Sequence, residues 1–266
     1  MDFQLFYRLS CNPFRKEEDI CLELRDFKEM KVRLEYLKQA KGIGVFTGNP
    51  GVGKSYALRK FAASLNENLY QVCYFALSTV SVTEFYRSLS LQLGLEPRFR
   101  KIDNFNGIQE RLTSLEREQR KTAVLILDEA HYLKSSILQD LTMLMNFEMD
   151  SKNRAIVILT GLPCLASNLS RAPLEPFRQR IVTQYQVHGI ETSDVTMYIE
   201  TKLKKAGRTT PLFDDSAVSA LAQNCNASMR RLNNLLVHSL VIGATQGKET
   251  IDTEVVFSAA QEMNIV

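Results

Sequence analysis

The sequence predicts an α/β fold: a parallel sheet sandwiched by helices, followed by a small all-helical C-terminal part. Three observations predict it. Short apolar, β-branched-rich runs at 42–47, 70–77, 122–127, 154–161 and 181–185 alternate with helix-period segments. That is how strands buried on both faces under crossover helices read. One strand–loop–helix unit carries Gly48-Asn49-Pro50-Gly51-Val52-Gly53-Lys54-Ser55, the spacing of a phosphate-binding loop. Beyond residue 192 only helix-period segments remain.

Taken in order, the first 40 residues hold the clusters Phe3/Leu5/Phe6/Tyr7 and Pro13-Phe14. Leu22, Leu24, Phe27, Met30, Leu34 and Leu37 then recur mostly every three or four residues, an amphipathic helix. The run Gly42–Thr47 is the first strand, and the phosphate-loop helix extends to Leu65. Tyr70–Leu77 is a buried strand, Thr83–Leu93 a helix, and Pro97-Arg98-Phe99-Arg100-Lys101 a loop. A helix over Phe105–Gln119 leads to the strand Thr122–Leu127, and Ser135–Leu144 is helical. Arg154–Gly161 and Ile181–Tyr185 complete the strands. Val195–Ala206, Asp215–Gln223, Met229–Thr245 and Asp252–Met263 read as helices. The change of character near 188–192 divides a core, residues 1–190 with 1–40 as its helical lead-in, from a helical lid, residues 191–266.

The loop specifies the chemistry. Its glycines let backbone N–H groups and a helix N-terminus wrap a phosphate, Lys54 reaches the outer phosphates, and the Ser55 hydroxyl is placed to ligate Mg2+. Gly48 to Ser55 and the following Tyr56 are the expected nucleotide contacts. The second half of such a site follows the apolar strand 122–127. There Asp128 is placed to hold the Mg2+ shell, and Glu129 to polarise the attacking water. An adjacent glutamate argues for ATP hydrolysis rather than binding alone. Asp128-Glu129-Ala130-His131 also spells a helicase signature, but only one motor domain fits the length. His131 is therefore expected to be a positional or partner-contact residue.

At 266 residues, 45% hydrophobic and 24% charged, the chain has an ordinary globular composition. No apolar stretch reaches bilayer length, so no membrane partner is expected, and Met1–Phe6 lacks a basic n-region. Cys11, Cys21, Cys73, Cys164 and Cys225 are scattered and never in a CxxC pair. This pattern argues for a reducing cytoplasm, without structural disulfides or zinc. A net charge of +3 permits nucleic-acid contact through a local patch without requiring it.

With the two motifs stand weaker marks in order. They are Asn12-Pro13-Phe14, Leu159-Thr160-Gly161-Leu162-Pro163, Phe177-Arg178-Gln179-Arg180-Ile181, Tyr198-Ile199, Leu203 with Ala206-Gly207, Leu212-Phe213, and Ser228-Met229-Arg230-Arg231-Leu232-Asn233. Across nearly the whole chain the set resembles the AAA+ ATPases. It is most similar to the ExeA-like branch, which groups secretion-associated ExeA with the transposition regulators MuB, TniB and TnsC. The glycine usual in that family near Ala227-Ser228 is missing here.

The resemblance implies a P-loop AAA+ module and a role for each marked residue. Thr160 corresponds to the sensor-1 polar residue, its bland alternative being a strand-capping threonine. Arg180 corresponds to the arginine finger reaching a neighbouring subunit's ATP, with Arg178 competing. Arg230 corresponds to sensor 2, with Arg231 as runner-up. Asn12 and Phe14 would border the adenine, although Pro13-Phe14 reads equally as a core staple. A finger acting in trans implies a homo-oligomer, ring or filament, with ATP at its interfaces.

The same resemblance offers two roles. One is a transposition regulator that assembles on double-stranded DNA, selects the target and recruits a transposase. The other is an ExeA-type assembly or secretion ATPase that acts on protein partners without DNA. For DNA contact the first candidates are Arg98, Arg100 and Lys101, with the hydroxyls of Thr79, Ser81 and Thr83. Lys202, Lys204, Lys205 and Arg208 form a second basic cluster. Solvated surface is the competing reading of both clusters.

Overall fold

A computed structural model describes residues 2–15, 22–76 and 78–264; Cys21, and Leu77 at the expected end of the second strand, lie outside them. In chain order come α1 (Phe3–Phe6), α2 (Arg25–Ala40), β1 (Gly42–Gly48), α3 (Lys54–Ser64), β2 (Tyr70–Phe75) and α4 (Val82–Gln92). Next are α5 (Lys101–Arg117), β3 (Thr122–Leu127), α6 (Ser135–Leu144), β4 (Ala155–Gly161), α7 (Cys164–Leu169), α8 (Glu175–Arg178) and β5 (Ile181–Val187). The helices α9 (Thr192–Lys205), α10 (Asp215–Asn224), α11 (Met229–Thr245) and α12 (Thr253–Asn264) follow. Two compact units result: one of Phe27–Gly48 and Lys54–Val187, the other of Met1–Asp26, Asn49–Gly53 and His188–Val266.

The first unit is a five-stranded sheet in the order β2-β3-β4-β1-β5, and every strand pair is parallel. β1 and β4 are buried along their whole length, as continuous apolar runs demand. Leu125, Val157, Leu112 and Leu141 belong to one core cluster, where each fully buried leucine contributes about 1.5–3 kcal/mol. The registers Phe75↔Leu127, Leu127↔Leu159 and Thr47↔Gly161 align the strands' C-terminal ends. A parallel sheet therefore collects Gly48, Asp128 and Thr160 along one edge, where such sheets place ligands. The helix after the Arg98 loop starts at Lys101, four residues earlier than the apolar spacing indicates. The acidic residue in its first turn, Asp103, pairs with Arg100 at i,i+3 and supports that earlier start. The short helices α7 and α8 carry no periodic signal in the sequence.

The second unit packs α9–α12 around Val195, Leu221, Leu235, Leu236 and Val255. Asp214 caps α10 by accepting from the Ala217 N–H, and Ser228 caps α11 by accepting from that of Arg231. Residues from the chain's start complete this core: Tyr7, Leu9 and Phe14 are buried in it. The Tyr7 hydroxyl donates to the Lys248 carbonyl at 3.0 Å, and Arg208 Nη1 donates to the Tyr7 carbonyl at 2.9 Å. Lys202 is buried with its ammonium 5.8 Å from the Tyr198 ring centre. Of the second basic cluster only Lys204 and Lys205 are exposed.

Candidate nucleotide-binding site and surface contacts

β3 ends at Leu127 and delivers Asp128 onto the C-terminal edge. There its buried carboxylate receives four hydrogen bonds. The hydroxyls of Ser55 (2.9 Å) and Tyr74 (3.0 Å) donate to Oδ2. The Thr160 hydroxyl (2.5 Å) and the Glu129 N–H (3.0 Å) donate to Oδ1. Ser78 donates to the Asp128 carbonyl at 2.6 Å. Burial alone would raise the Asp128 carboxyl, but the bonds from Thr160, Ser55, Tyr74 and Glu129 hold it below the usual aspartate value. Burial and the Asp128 charge push the Tyr74 phenol up to about 12, so it stays a donor. Tyr74 and Ser78 gave no signal in the sequence: one sits on the outward face of an edge strand, the other in the loop after it.

Lys54 is buried at the start of α3, and its ammonium donates to the Gly48 carbonyl at 2.7 Å across the loop. Gly53 adopts φ +108°, a conformation L residues avoid, and a side-chain carbon there would meet nothing within 4 Å. A serine hydroxyl converging with a carboxylate is a set of hard oxygen donors that suits Mg2+. The residues present thus fit the ion and the triphosphate that the motifs imply. Glu129 stands in the left-handed region at φ 50°, ψ 37°, a strained placement for a glutamate that recurs at functional sites. Tyr56 turns its ring toward Phe27, with centroids 6.0 Å apart, and lies beneath Arg59.

In the other unit the Arg230 N–H donates to the Gly51 carbonyl at 3.3 Å, while the Arg230 side chain is exposed. Arg231 instead donates from Nε to the Asn224 carbonyl at 2.7 Å. Asn49 and Pro50 are exposed and Val52 is buried. The Asn12 side chain accepts from the Phe14 N–H at 3.1 Å, and the Phe14 ring lies in the helical core.

Both finger candidates are ion-paired within the chain: Arg180 with Asp150, and Arg178 with Glu175. Asp150 ends a run of three left-handed residues, Glu148, Met149 and Asp150, and Met149 at its tip is 100% exposed.

The Arg98–Lys101 segment is ordered from beneath. Asn104, 2% exposed, accepts from the Arg98 N–H at 2.8 Å and donates to the Arg98 and Arg100 carbonyls at 2.8 and 3.0 Å. Above this clamp Arg98 is exposed and Phe99 is 91% exposed. Arg100 forms a two-pronged pair with Asp103, and Lys101 pairs with the buried Asp140 at 2.7 Å. Arg98 is thus the cation of this segment that makes no ion pair among the described residues. Thr79 is exposed, whereas the Ser81 hydroxyl is engaged with Glu84 in a capping box at the start of α4.

Fold and site together define a P-loop nucleotide-binding protein. The family model for the AAA domain matches residues 37–169, half of the chain, and the chain belongs to that family. Its relatives include both arms of the ExeA-like group. General secretion pathway protein A of Aeromonas hydrophila is 29% identical over 144 residues, covering 54% of this chain and 26% of that protein. The ATP-dependent target DNA activator B of Escherichia phage Mu is 27% identical over 151 residues, covering 56% of this chain and 44% of that one. The matches span less than half the length of these curated relatives. Among solved structures, Drosophila ORC bound to DNA superposes with a TM-score of 0.71 at 17% identity, over 99% of this chain and 66% of that one, which fixes the fold. Among the described residues no helix is long and apolar enough to cross a membrane.

Proposed function

We propose that this protein is a cytoplasmic, ATP-hydrolysing regulator of DNA transposition that oligomerises on double-stranded DNA and recruits a transposase, hydrolysis driving disassembly. Residues 1–190 act as its nucleotide core and 191–266 as its lid. Lys54 and the backbone of Gly48–Ser55 hold the triphosphate, with Asn12 and Tyr56 toward the base. Ser55 and Asp128 hold Mg2+, which when bound neutralises phosphate charge. Glu129 takes the proton of the attacking water, and Thr160 keeps Asp128 ionised and oriented. Arg230 faces the phosphates of its own subunit, and Arg180 those of a neighbour, so the site is complete only in an oligomer.

The observation that carries the DNA half is the clamped loop that displays Arg98 and Phe99: an unpaired cation beside an exposed aromatic ring suits a phosphate backbone. Thr79, Arg100 and Lys101 are the flanking contacts. Similarity to a protein named an ATP-dependent target DNA activator supports the same reading. The similarity to general secretion pathway protein A favours a second one, an assembly ATPase that acts on protein partners without DNA. The deciding experiment measures ATP turnover with and without duplex DNA across a salt series, in wild type and Arg98→Ala. Stimulation that fades with salt and is blunted in the variant is the expected result. Turnover indifferent to DNA at low salt would sink the transposition reading in favour of the second.

A further inference from the structure

We propose that His131 is a positioning residue that decides where the Glu129 carboxylate points and couples it to the strand end bearing Thr160. The inference rests on the hydrolytic role proposed for Glu129. The imidazole is 6% exposed and packs on Tyr132 with ring centroids 4.0 Å apart. Its Nδ1 lies 3.4 Å from Glu129 Oε2 and also accepts the Leu162 N–H at 3.3 Å. Room for this is supplied by Gly161, where a side-chain carbon would come within 3.1 Å of both His131 N and Nδ1. The other ring nitrogen, Nε2, is buried with no hydrogen-bond partner among the described residues.

One nitrogen therefore has two claimants, and it serves them in opposite protonation states. With a lone pair on Nδ1, it accepts from Leu162 and repels the carboxylate, which is left to turn toward water. With a proton on Nδ1, it holds Glu129 and releases Leu162. Neutral imidazole reaches both forms by exchanging tautomers. A ring is ordinarily fixed in one tautomer by the bond its second nitrogen makes. Here Nε2 makes none, so nothing there locks the choice. Leu162 lies two residues past Thr160, whose hydroxyl holds Asp128. A shift of that strand end is thereby felt at Glu129 through a single ring.

The test compares His131→Leu and His131→Gln, each alone and in the Glu129→Gln background, by single-turnover ATP hydrolysis, steady-state kcat and KM, and binding of a fluorescent ATP analogue. The leucine variant should lose roughly ten- to a hundredfold in kcat, as misplaced catalytic groups do, with KM and analogue affinity nearly unchanged. Glutamine, which can accept from Leu162 and donate to Glu129, should recover most of the rate. In the Glu129→Gln background the leucine change should cost nothing more. A readout without nucleotide is 15N-histidine NMR: the chain has three histidines, and the His131 signal is assigned by its loss in His131→Gln. Glu129→Gln should shift that Nδ1 resonance. Three results overturn the proposal: an unmoved resonance, equal losses in both Glu129 backgrounds, or wild-type kcat in His131→Leu while Glu129→Gln stops hydrolysis. Wild-type turnover in Glu129→Gln is the separate signature that the hydrolytic reading itself is wrong. Should His131→Leu not fold, the resonance shift and the His131→Gln kinetics decide.

Discussion

Thr160→Val exposes how far the Asp128 carboxylate depends on its donors. Thr160 is wholly buried, and its hydroxyl is one of four donors to Asp128. Valine keeps the shape and leaves an ionised, buried oxygen one bond short. A hydrogen bond to a charged group is worth about 1.5–3 kcal/mol, and the added methyl returns about 0.8 kcal/mol of apolar burial. The expected net loss is about 1–2 kcal/mol at pH 7. It should carry a pH signature. A carboxyl held below its ordinary value when folded gives stability that is full above the unfolded value, about pH 4, and vanishes as pH falls through the folded value. Urea denaturation of both proteins between pH 3.5 and 8 measures the difference, which should be flat above about pH 5 and begin to shrink below about pH 4. A difference that is absent at pH 7, or undiminished at the acid end, would refute the assignment of Thr160 as one of the donors that hold Asp128 ionised.

Three further outcomes are expected. Glu129→Gly relieves the left-handed strain and should raise stability by about 1 kcal/mol while eliminating hydrolysis, read by melting and by phosphate release; a lower melting temperature would contradict it. Asp150→Ala frees Arg180, so light scattering should show ATP-dependent assembly at several-fold lower protein concentration, and unchanged assembly counts against a trans-acting Arg180. Asn104→Ala removes the clamp under Arg98 without removing charge. It should destabilise by about 1–3 kcal/mol and weaken DNA binding with the salt slope intact, and a changed slope would mean that phosphate contacts themselves were lost.

The buried strands were legible because a strand covered on both faces must be apolar throughout, and β1, β3 and β4 leave no other pattern. The convergence of Ser55, Asp128 and Thr160 was legible because Ser55 and Asp128 sit in motifs whose spacing the chemistry dictates, and Thr160 lies near the end of a third buried strand. What local pattern could not carry is contact between distant segments. Tyr74 reaches Asp128 across 54 residues, Lys101 finds Asp140 and Arg180 finds Asp150 only through tertiary packing, and Asn104 looks like any helix residue. The two basic clusters read as charge runs; folding gives Arg100, Lys101, Lys202 and Arg208 internal partners and leaves Arg98, Lys204 and Lys205 exposed. Pro13-Phe14 reads as a core staple or as an adenine border; the Phe14 ring lies in the helical core.

The seating of Tyr7 against Lys248 spans 241 residues, and it sets a timetable for synthesis. A chain made at about 5–20 residues per second exposes the aromatic segment around Tyr7 for roughly 12–48 s before that partner is polymerised. The helical unit closes last, through contacts of very long sequence separation, which makes its formation slow. Meanwhile Phe3, Phe6, Tyr7 and Phe14 form a sticky segment, and a nascent chain stalled before α11 would present it to chaperones and proteases.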